Sequence, residues 1–129
     1  MGATAVSDDL EKHLEQGIQF KINGEYDEAV RELKLVLASD TEHARAHHEL
    51  GLVYGFTGEY DESVTELQEA VRLSPDVPKF HESLGLTHTM LGMYEEGREQ
   101  FELIISSWPD SDEASKAREQ LKFFEEFDQ

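Results

Sequence analysis

The sequence predicts an all-α fold, an α-α superhelix built as a right-handed solenoid of helix-turn-helix repeats. Three observations predict it. The stretch GEYDEAVRELKLVLASD at Gly24 returns as GEYDESVTELQEAVRLSPD at Gly58 and as GMYEEGREQFELIISSWPD at Gly92, so the starting points lie 34 residues apart. Apolar residues in each unit recur at spacings of three and four, which keeps them on one helical face. Proline and capping residues separate the units at the same period.

Two columns of glycine follow the period. Gly17, Gly51 and Gly85 lie inside the first helix of each unit. Because glycine within a helix costs roughly 0.5–1 kcal/mol against alanine, its recurrence predicts that a neighbouring helix approaches closely there. The second column follows seven residues later and suits a helix C-terminus, where a left-handed residue closes the last turn. Its members are Gly24, Gly58 and Gly92.

The second helix of each unit begins after the turn glycine and presents a graded apolar face. Small residues come first, where a crossing helix leaves little room, and larger apolar residues follow. The small residues are Ala29, Ser63 and Gly97, and the larger ones are Leu33, Val36, Leu67, Ala70, Phe101 and Ile104. Each unit is therefore interpreted as two short amphipathic helices joined by a tight turn.

These columns resemble the tetratricopeptide repeat, a family of 34-residue helix-turn-helix units. The middle unit, residues 44–77, is the best match, and its signature residues are Leu50, Gly51, Tyr54, Gly58, Tyr60, Ser63, Leu67, Ala70 and Pro75. The third unit departs with His88 where an aromatic residue is usual and with Gly97 where alanine is usual. The resemblance implies one domain over residues 8–127, with repeats at about 10–43, 44–77 and 78–111 and a capping helix at about 112–127.

Both ends of the chain complete this organisation. We expect residues 1–7 to be disordered, with Asp8 and Glu11 in capping-box spacing to open the first helix. A stack of repeats needs a terminal helix to cover its last apolar face, and the final segment supplies an apolar stripe for it. Phe123, Phe124 and Phe127 exceed what one face needs, so they either cap the stack or form a surface for self-association or for a continuation of the chain.

In the family, the first helix of each repeat lines a concave groove that binds a partner. The resemblance places eleven residues of this chain there: Leu14, Ile18, Ile22, Arg45, His48, Leu52, Phe56, Lys79, Glu82, Leu86 and Met90. The set is largely apolar in a chain that is acidic elsewhere. It implies a non-catalytic scaffold that binds a protein, a peptide or an amphipathic helix, unless some of these side chains are buried against neighbouring helices.

One known subtype of the family is disfavoured. Repeats that hold the acidic tails of chaperones resemble one another in a clamp of lysine, arginine and asparagine. Here Leu14, Ile18, Leu52 and Leu86 stand at the lysine and asparagine positions of that clamp. Glu82 would repel a carboxylate, so we expect a basic or amphipathic partner instead.

The formal net charge of −18 disfavours nucleic acid and anionic membranes as partners, since both need a basic surface. Two interpretations of the charge remain: a solvated acidic surface of the kind found in salt-adapted proteins, and an acidic face that steers a basic partner. No apolar run approaches the roughly 20 residues that cross a bilayer, and the start lacks the features of a signal peptide. We therefore expect a cytoplasmic protein.

The histidines raise the question of metal binding. His13, His47 and His81 also lie 34 residues apart, and His43 precedes His47 by one helical turn. Packing is the favoured interpretation, because no recognisable spacing specifies a third ligand. Without cysteine, a glycine-rich loop after a strand or a nucleophile elbow, nothing in the sequence indicates an enzyme, a cofactor or a metal site. The alternative function is a homo-oligomeric assembly module that associates through its C-terminal helix.

Overall fold

The computed structural model describes the backbone of residues 2–127 and the side chains of residues 8–126. Within these residues the chain forms seven α-helices and no strand, which confirms the all-α repeat fold. The helices are α1 (Gly2–Ile22), α2 (Tyr26–Ser39), α3 (Ala44–Phe56), α4 (Tyr60–Leu73), α5 (Pro78–Met90), α6 (Tyr94–Ser107) and α7 (Asp112–Phe127). Helices α3 and α5 begin at the residues where the second and third repeats were predicted to begin, and α7 follows the third repeat.

The start of the first helix differs from the sequence-based expectation. Helix α1 begins at Gly2 rather than near Asp8, so Asp8 and Glu11 lie within it and do not form its capping box. The expected disorder concerns residues 1–7, whose side chains lie outside the described residues, and it stays a prediction.

The chain divides into two compact units at the junction between the second and third repeats. The N-terminal unit, Met1–Leu73, contains α1 to α4, and the C-terminal unit, Ser74–Gln129, contains α5 to α7. Each unit has a buried apolar cluster of its own. That residues 8–127 form one domain stays a prediction, since the chain divides into two compact units.

The core of the N-terminal unit consists of side chains from its first three helices. Its fully buried members are Leu14, Ala29, Leu33, Val36, Ala46, Leu50 and Val53. Gly51 explains how α3 packs so closely on α4, because a Cβ atom there would lie 2.7 Å from Cγ of the buried Leu67. The predicted close approach at the inner glycine column is therefore confirmed.

The core of the C-terminal unit joins α6 to the last helix. Its buried members are Phe101, Ile104, Ala114, Ala117 and Phe124. The Phe124 ring lies 6.1 Å from the Phe101 ring, centroid to centroid, so the apolar stripe of α7 covers α6 as a capping helix should. Phe123 is about half exposed, and the Phe127 side chain lies outside the described residues.

The hairpin turns have the geometry predicted from the outer glycine column. Gly24, Gly58 and Gly92 have φ angles of 78°, 81° and 78°, a left-handed conformation that glycine adopts without strain. After each glycine, the next amide donates to a carbonyl five residues back, as Glu25 N–H does to Phe20 O at 2.8 Å. This is the helix-ending hydrogen bond of a Schellman motif.

A hydroxyl group is placed differently in the second and third hairpins. In the second, the α4 residue Ser63 donates its Oγ hydrogen to the Gly51 carbonyl of α3 at 2.7 Å. In the third, Thr89 of α5 donates to the Gly85 carbonyl of its own helix at 2.8 Å. Gly97 stands where Ser63 stands in the second hairpin, and a Cβ atom there would lie 2.7 Å from the Thr89 hydroxyl oxygen.

Candidate functional site

In α1, the residues predicted to line the groove differ in burial. Leu14 is 1% exposed and belongs to the core of the N-terminal unit. The side chain packs between helices, and its placement in the groove stays a prediction. Ile18 is partly buried against the same core, whereas Ile22 is 67% exposed.

The predicted residues of α3 show the same gradation. His48 is buried, Leu52 is partly buried and Arg45 is exposed. His48 is 4% exposed, and its predicted contact with a partner stays a prediction. Phe56 is 60% exposed, although its ring stacks on Tyr26 of α2 with 5.8 Å between the ring centroids. The stacking fixes the orientation of an aromatic side chain that still presents most of its surface to solvent.

The predicted residues of α5 combine a buried acid with exposed apolar side chains. Glu82 is 5% exposed, and its Oε1 accepts a hydrogen bond from Lys79 Nζ at 2.8 Å. Leu86 and Met90 lie one and two turns farther along the helix and are both exposed. The helical spacing of four keeps Glu82, Leu86 and Met90 on one face, as the sequence predicted.

A cavity of about 190 Å³ lies beside this face of α5. Leu86 and Phe101 form its apolar lining, and Glu82 contributes the buried carboxylate. The remaining lining residues come from α7 and are Lys116, Glu119 and Gln120. Sequence reasoning missed these three, although their spacing of three and four on the capping helix places them on one helical face.

A second buried glutamate, in the N-terminal unit, was also missed. Glu49 of α3 accepts a hydrogen bond from Lys21 of α1 at 2.6 Å, and the two side chains are 10% and 16% exposed. A charge with so little solvent contact is tolerated because an opposite charge compensates it. One indication of this pair was present in the sequence: Lys21 lies four residues after Gly17, on the face of α1 that packs against other helices.

The histidine column connects the parts of each hairpin. His47 Nδ1 contacts Glu66 Oε2 of α4 at 2.6 Å, and its Nε2 contacts the Thr41 carbonyl oxygen at 2.8 Å. His81 repeats the arrangement with Gln100 at 2.7 Å and the Pro75 carbonyl at 2.8 Å. In the first hairpin, His13 Nδ1 contacts Glu32 at 2.5 Å. The partners Glu32, Glu66 and Gln100 are themselves 34 residues apart.

These contacts account for the histidines without a metal ion. Both ring nitrogens of His47 are engaged by protein atoms, and His43 Nδ1 caps α3 by accepting the Ala46 amide at 3.1 Å. Among the residues that the structure describes, no three histidine, aspartate or glutamate side chains are grouped to hold a metal ion. The favoured interpretation of the histidine column as packing is thus the one that the geometry supports.

His88 is a second buried histidine outside this column, besides His48. Burial lowers its pKa below the ordinary value of 6.5, while the nearby carboxylates of Glu96 and Glu99 act in the opposite direction. Its Nδ1 is buried without a hydrogen-bond partner among the described residues. His88 therefore favours the neutral imidazole, because the charged form would lose solvation.

A larger cavity, of about 370 Å³, lies between the start of α6 and the end of α7. Its aromatic lining is Tyr94, Phe123 and Phe124. The Arg98 guanidinium carbon lies 5.6 Å from the centroid of the Phe124 ring, within the range of a cation–π contact. This cavity was not predicted as a site, although the excess of phenylalanine in α7 had marked the same surface.

The arrangement of helices agrees with what comparison with known proteins shows. A family model described as "TPR repeat" matches residues 57–92, which contain the turn of the second hairpin, all of α4 and all of α5. The second such domain of human RPAP3, solved with the HSP70 peptide SGPTIEEVD, superposes with a TM-score of 0.81 at 20% identity. That superposition covers 91% of this chain and 98% of the other. The chain therefore has the fold of tetratricopeptide repeat domains, and its residues 57–92 match the repeat model.

Two further solved structures are similar to this chain. MamA is 27% identical, with a TM-score of 0.74 over 78% of this chain, and the chain spans 58% of MamA's length. The Yersinia enterocolitica translocator chaperone SycD, in an alternative dimer, superposes over 95% of this chain and 96% of its own with a TM-score of 0.87 and 17% identity. No curated protein sequence matches the chain. None of its described helices is long and apolar enough to span a membrane.

Proposed function

We propose that this tetratricopeptide repeat chain is a non-catalytic scaffold that binds a peptide or helix through apolar side chains on the first helices of its repeats. One observation carries the proposal. Ile22, Phe56 and Met90 occupy the same position in the three repeats and are 67%, 60% and 64% exposed. Large apolar side chains kept in solvent at one repeat position, in a chain of net charge −18, are typical of a surface that buries a partner.

The partner has an apolar face and an excess of basic residues. Apolar contacts with Leu52, Phe56, Leu86 and Met90 would provide most of the affinity, because fully desolvated anchors dominate binding energy. The acidic surface would raise the association rate of a basic ligand and would make it sensitive to salt. Human RPAP3 shows that a fold of this kind can hold a peptide, but the buried Glu82 disfavours an acidic tail here.

Binding can be tested with peptides selected from a random library against the wild-type chain. Phe56→Glu with Met90→Glu places two charges among the exposed apolar residues, and we expect a loss of affinity of about 100-fold or more, as removal of two central anchors implies. The measurement is fluorescence anisotropy with a labelled peptide, together with circular dichroism of the variant.

A matched control uses exposed leucines on the second helices of the repeats. Leu35 and Leu103 are 45% and 41% exposed, so Leu35→Glu with Leu103→Glu adds the same charge at comparable surface positions outside the proposed groove. The control should bind the peptide within about twofold of wild type, since surface changes outside a binding site have small effects. Equal losses in both variants would contradict the proposed groove.

A second candidate function is assembly through the C-terminal helix. The observation that favours it is the aromatic cavity of about 370 Å³, beside which Phe123 and Tyr94 remain half exposed. Analytical ultracentrifugation over a wide concentration range tests it. A dimer that Phe123→Glu dissociates would support assembly, and a monomer at every concentration would remove this candidate.

A further inference from the structure

Glu82 is the buried acid whose hydrogen bonding is incomplete. Its Oε1 is paired with Lys79, but Oε2 is buried and has no hydrogen-bond partner in the part of the chain that the structure describes. An acceptor left unpaired in the interior costs stability, so such groups are rare and call for an explanation. A group that completes its hydrogen bonds only when a ligand arrives is one such explanation.

The cavity beside Glu82 has the size of one side chain. Its volume of about 190 Å³ is far larger than the roughly 10–15 Å³ that one water needs. It is smaller than the roughly 300–1,000 Å³ of sites that enclose a drug-sized molecule. The lining is apolar at Leu86 and Phe101 and charged at Glu82. A long side chain with an aliphatic stem and a polar head fits this combination.

The charges around the cavity indicate the sign of that head. Lys79, the partner of Glu82 Oε1, is 49% exposed, so solvent weakens its hold on the carboxylate. The α7 side chains Lys116 and Glu119 carry opposite charges and offset each other. The buried carboxylate therefore dominates, and an ionised carboxylate accepts hydrogen bonds but donates none.

We propose that Glu82 receives an arginine or lysine side chain of the bound peptide. The cationic head donates to Oε2, and the aliphatic stem lies against Leu86 and Phe101. Charge-assisted hydrogen bonds of this kind are roughly twice as strong as neutral ones and are sensitive to geometry. The proposal rests on the proposed function, because it assigns one specificity pocket within the same binding surface.

The test starts from a random twelve-residue peptide library selected on the immobilised wild-type chain. The selected peptides should share one basic residue flanked by apolar residues. Replacing that residue by norleucine, which keeps the stem and removes the charge, should weaken binding to wild type about tenfold or more. Lysine and arginine versions of the same peptide show which cation the pocket prefers.

The decisive comparison is a double-mutant cycle with Glu82→Gln, which preserves the shape of the side chain. The norleucine peptide and the basic peptide should bind this variant equally within about twofold. Glu102→Gln, on an exposed residue of α6 that does not line the cavity, is the matched control and should keep the full preference for the basic peptide. Glu119→Gln tests instead whether the α7 carboxylate at the cavity holds the cation. Circular dichroism confirms that the three variants fold.

The outcomes separate this inference from the proposed function. The selected peptides could lose affinity for the Phe56→Glu, Met90→Glu variant and yet contain no basic residue whose contribution depends on Glu82. That result would overturn the proposed cation pocket and leave the proposed scaffold function in place. Failure to select any peptide that depends on the exposed apolar residues would overturn both. A coupling that appears with Glu119→Gln instead would place the cation on α7 and contradict the assignment to Glu82.

Discussion

The second hairpin, α3–α4, and the third hairpin, α5–α6, are equivalent units of the repeat, yet they differ in how their two helices pack and in how a buried acid is paired. In α3–α4, the space between the helices holds Gly55 on one side and Ser63 on the other; in α5–α6, it holds Thr89 and Gly97. The hydroxyl and the glycine have changed places, and in both hairpins a side-chain hydroxyl donates to the carbonyl of the inner glycine. Columns that look independent in the sequence are therefore coupled through the volume that they share.

The two hairpins also differ in how they treat a buried acid. Glu49 of α3 is paired with a largely buried lysine, whereas Glu82 of α5 is paired on one oxygen with a half-exposed lysine. In the first arrangement a largely buried lysine pairs with the Glu49 carboxylate. In the second, Oε2 of Glu82 has no hydrogen-bond partner among the described residues, and Glu82 lines a cavity. Glu49 and Glu82 stand one position apart in the repeat, since Ser83 and His48 are their counterparts in the other hairpin. The partner of each acid, rather than the period, therefore decides whether its hydrogen bonds are completed within the protein.

The strongest test of this contrast removes each lysine in turn. Lys21→Met leaves Glu49 buried without a counter-charge, and we expect the free energy of unfolding to fall by about 3 kcal/mol. Lys79→Met also leaves a buried carboxylate, but it removes a half-exposed cation whose contact is weakened by solvent, so the expected loss is smaller, about 1–2 kcal/mol. Urea denaturation followed by circular dichroism measures both. Equal losses would contradict this difference between the two acids.

The exchange of hydroxyl and glycine can be tested by a second double-mutant cycle. Gly97→Ala places a methyl group against the Thr89 hydroxyl oxygen, and overpacking of this kind costs about 1–3 kcal/mol. In a Thr89→Ala background the hydroxyl is absent, so the cost of Gly97→Ala should fall by about 1 kcal/mol. Thermal denaturation of the four proteins gives the coupling. Additive effects would show that the two positions do not share space.

The smallest expected effect is a dependence on pH that arises from His88 of the third hairpin. His88 stands where the second hairpin has Tyr54, and burial lowers its pKa in the folded protein. The unfolded chain therefore binds the proton more readily. The stability that neutral His88 contributes is complete above its ordinary pKa of about 6.5 and is lost as the pH falls from there through the folded pKa.

His88→Tyr should flatten this part of the stability profile and make the third hairpin resemble the second. The measurement is the urea midpoint of both proteins at a series of pH values between about 7 and 5. The profile of the variant still contains the titration of the other histidines, so the informative quantity is the difference between the two curves. A difference that does not change with pH would exclude His88 as the source.

The fold could be predicted from the sequence because its determinants are local and repeat. The turn glycines, the inner glycines and the apolar face of each second helix recur at one period, and all lie where the pattern placed them. Burial at the groove positions could not be predicted, because it depends on neighbouring helices, as Leu14 shows by packing with residues of α2 and α3. The Lys21–Glu49 pair was missed because it joins two helices, and a repeat period does not specify tertiary distances. The Lys79–Glu82 pair lies three residues apart within α5, so helical spacing alone could have indicated it.

The paired contacts of the histidines bear on which changes of length a repeat tolerates. His47 contacts a carbonyl six residues earlier and a carboxylate 19 residues later, and His81 does the same with the Pro75 carbonyl and the Gln100 amide. One side chain thus spans the loop before its helix and the turn after it. A single inserted or deleted residue anywhere from Thr41 to Glu66 shifts one of the two contacts out of register, whereas the last half of α4 lies outside that span. Each of these two histidines therefore constrains the number of residues between the loop before its helix and the second helix of its hairpin.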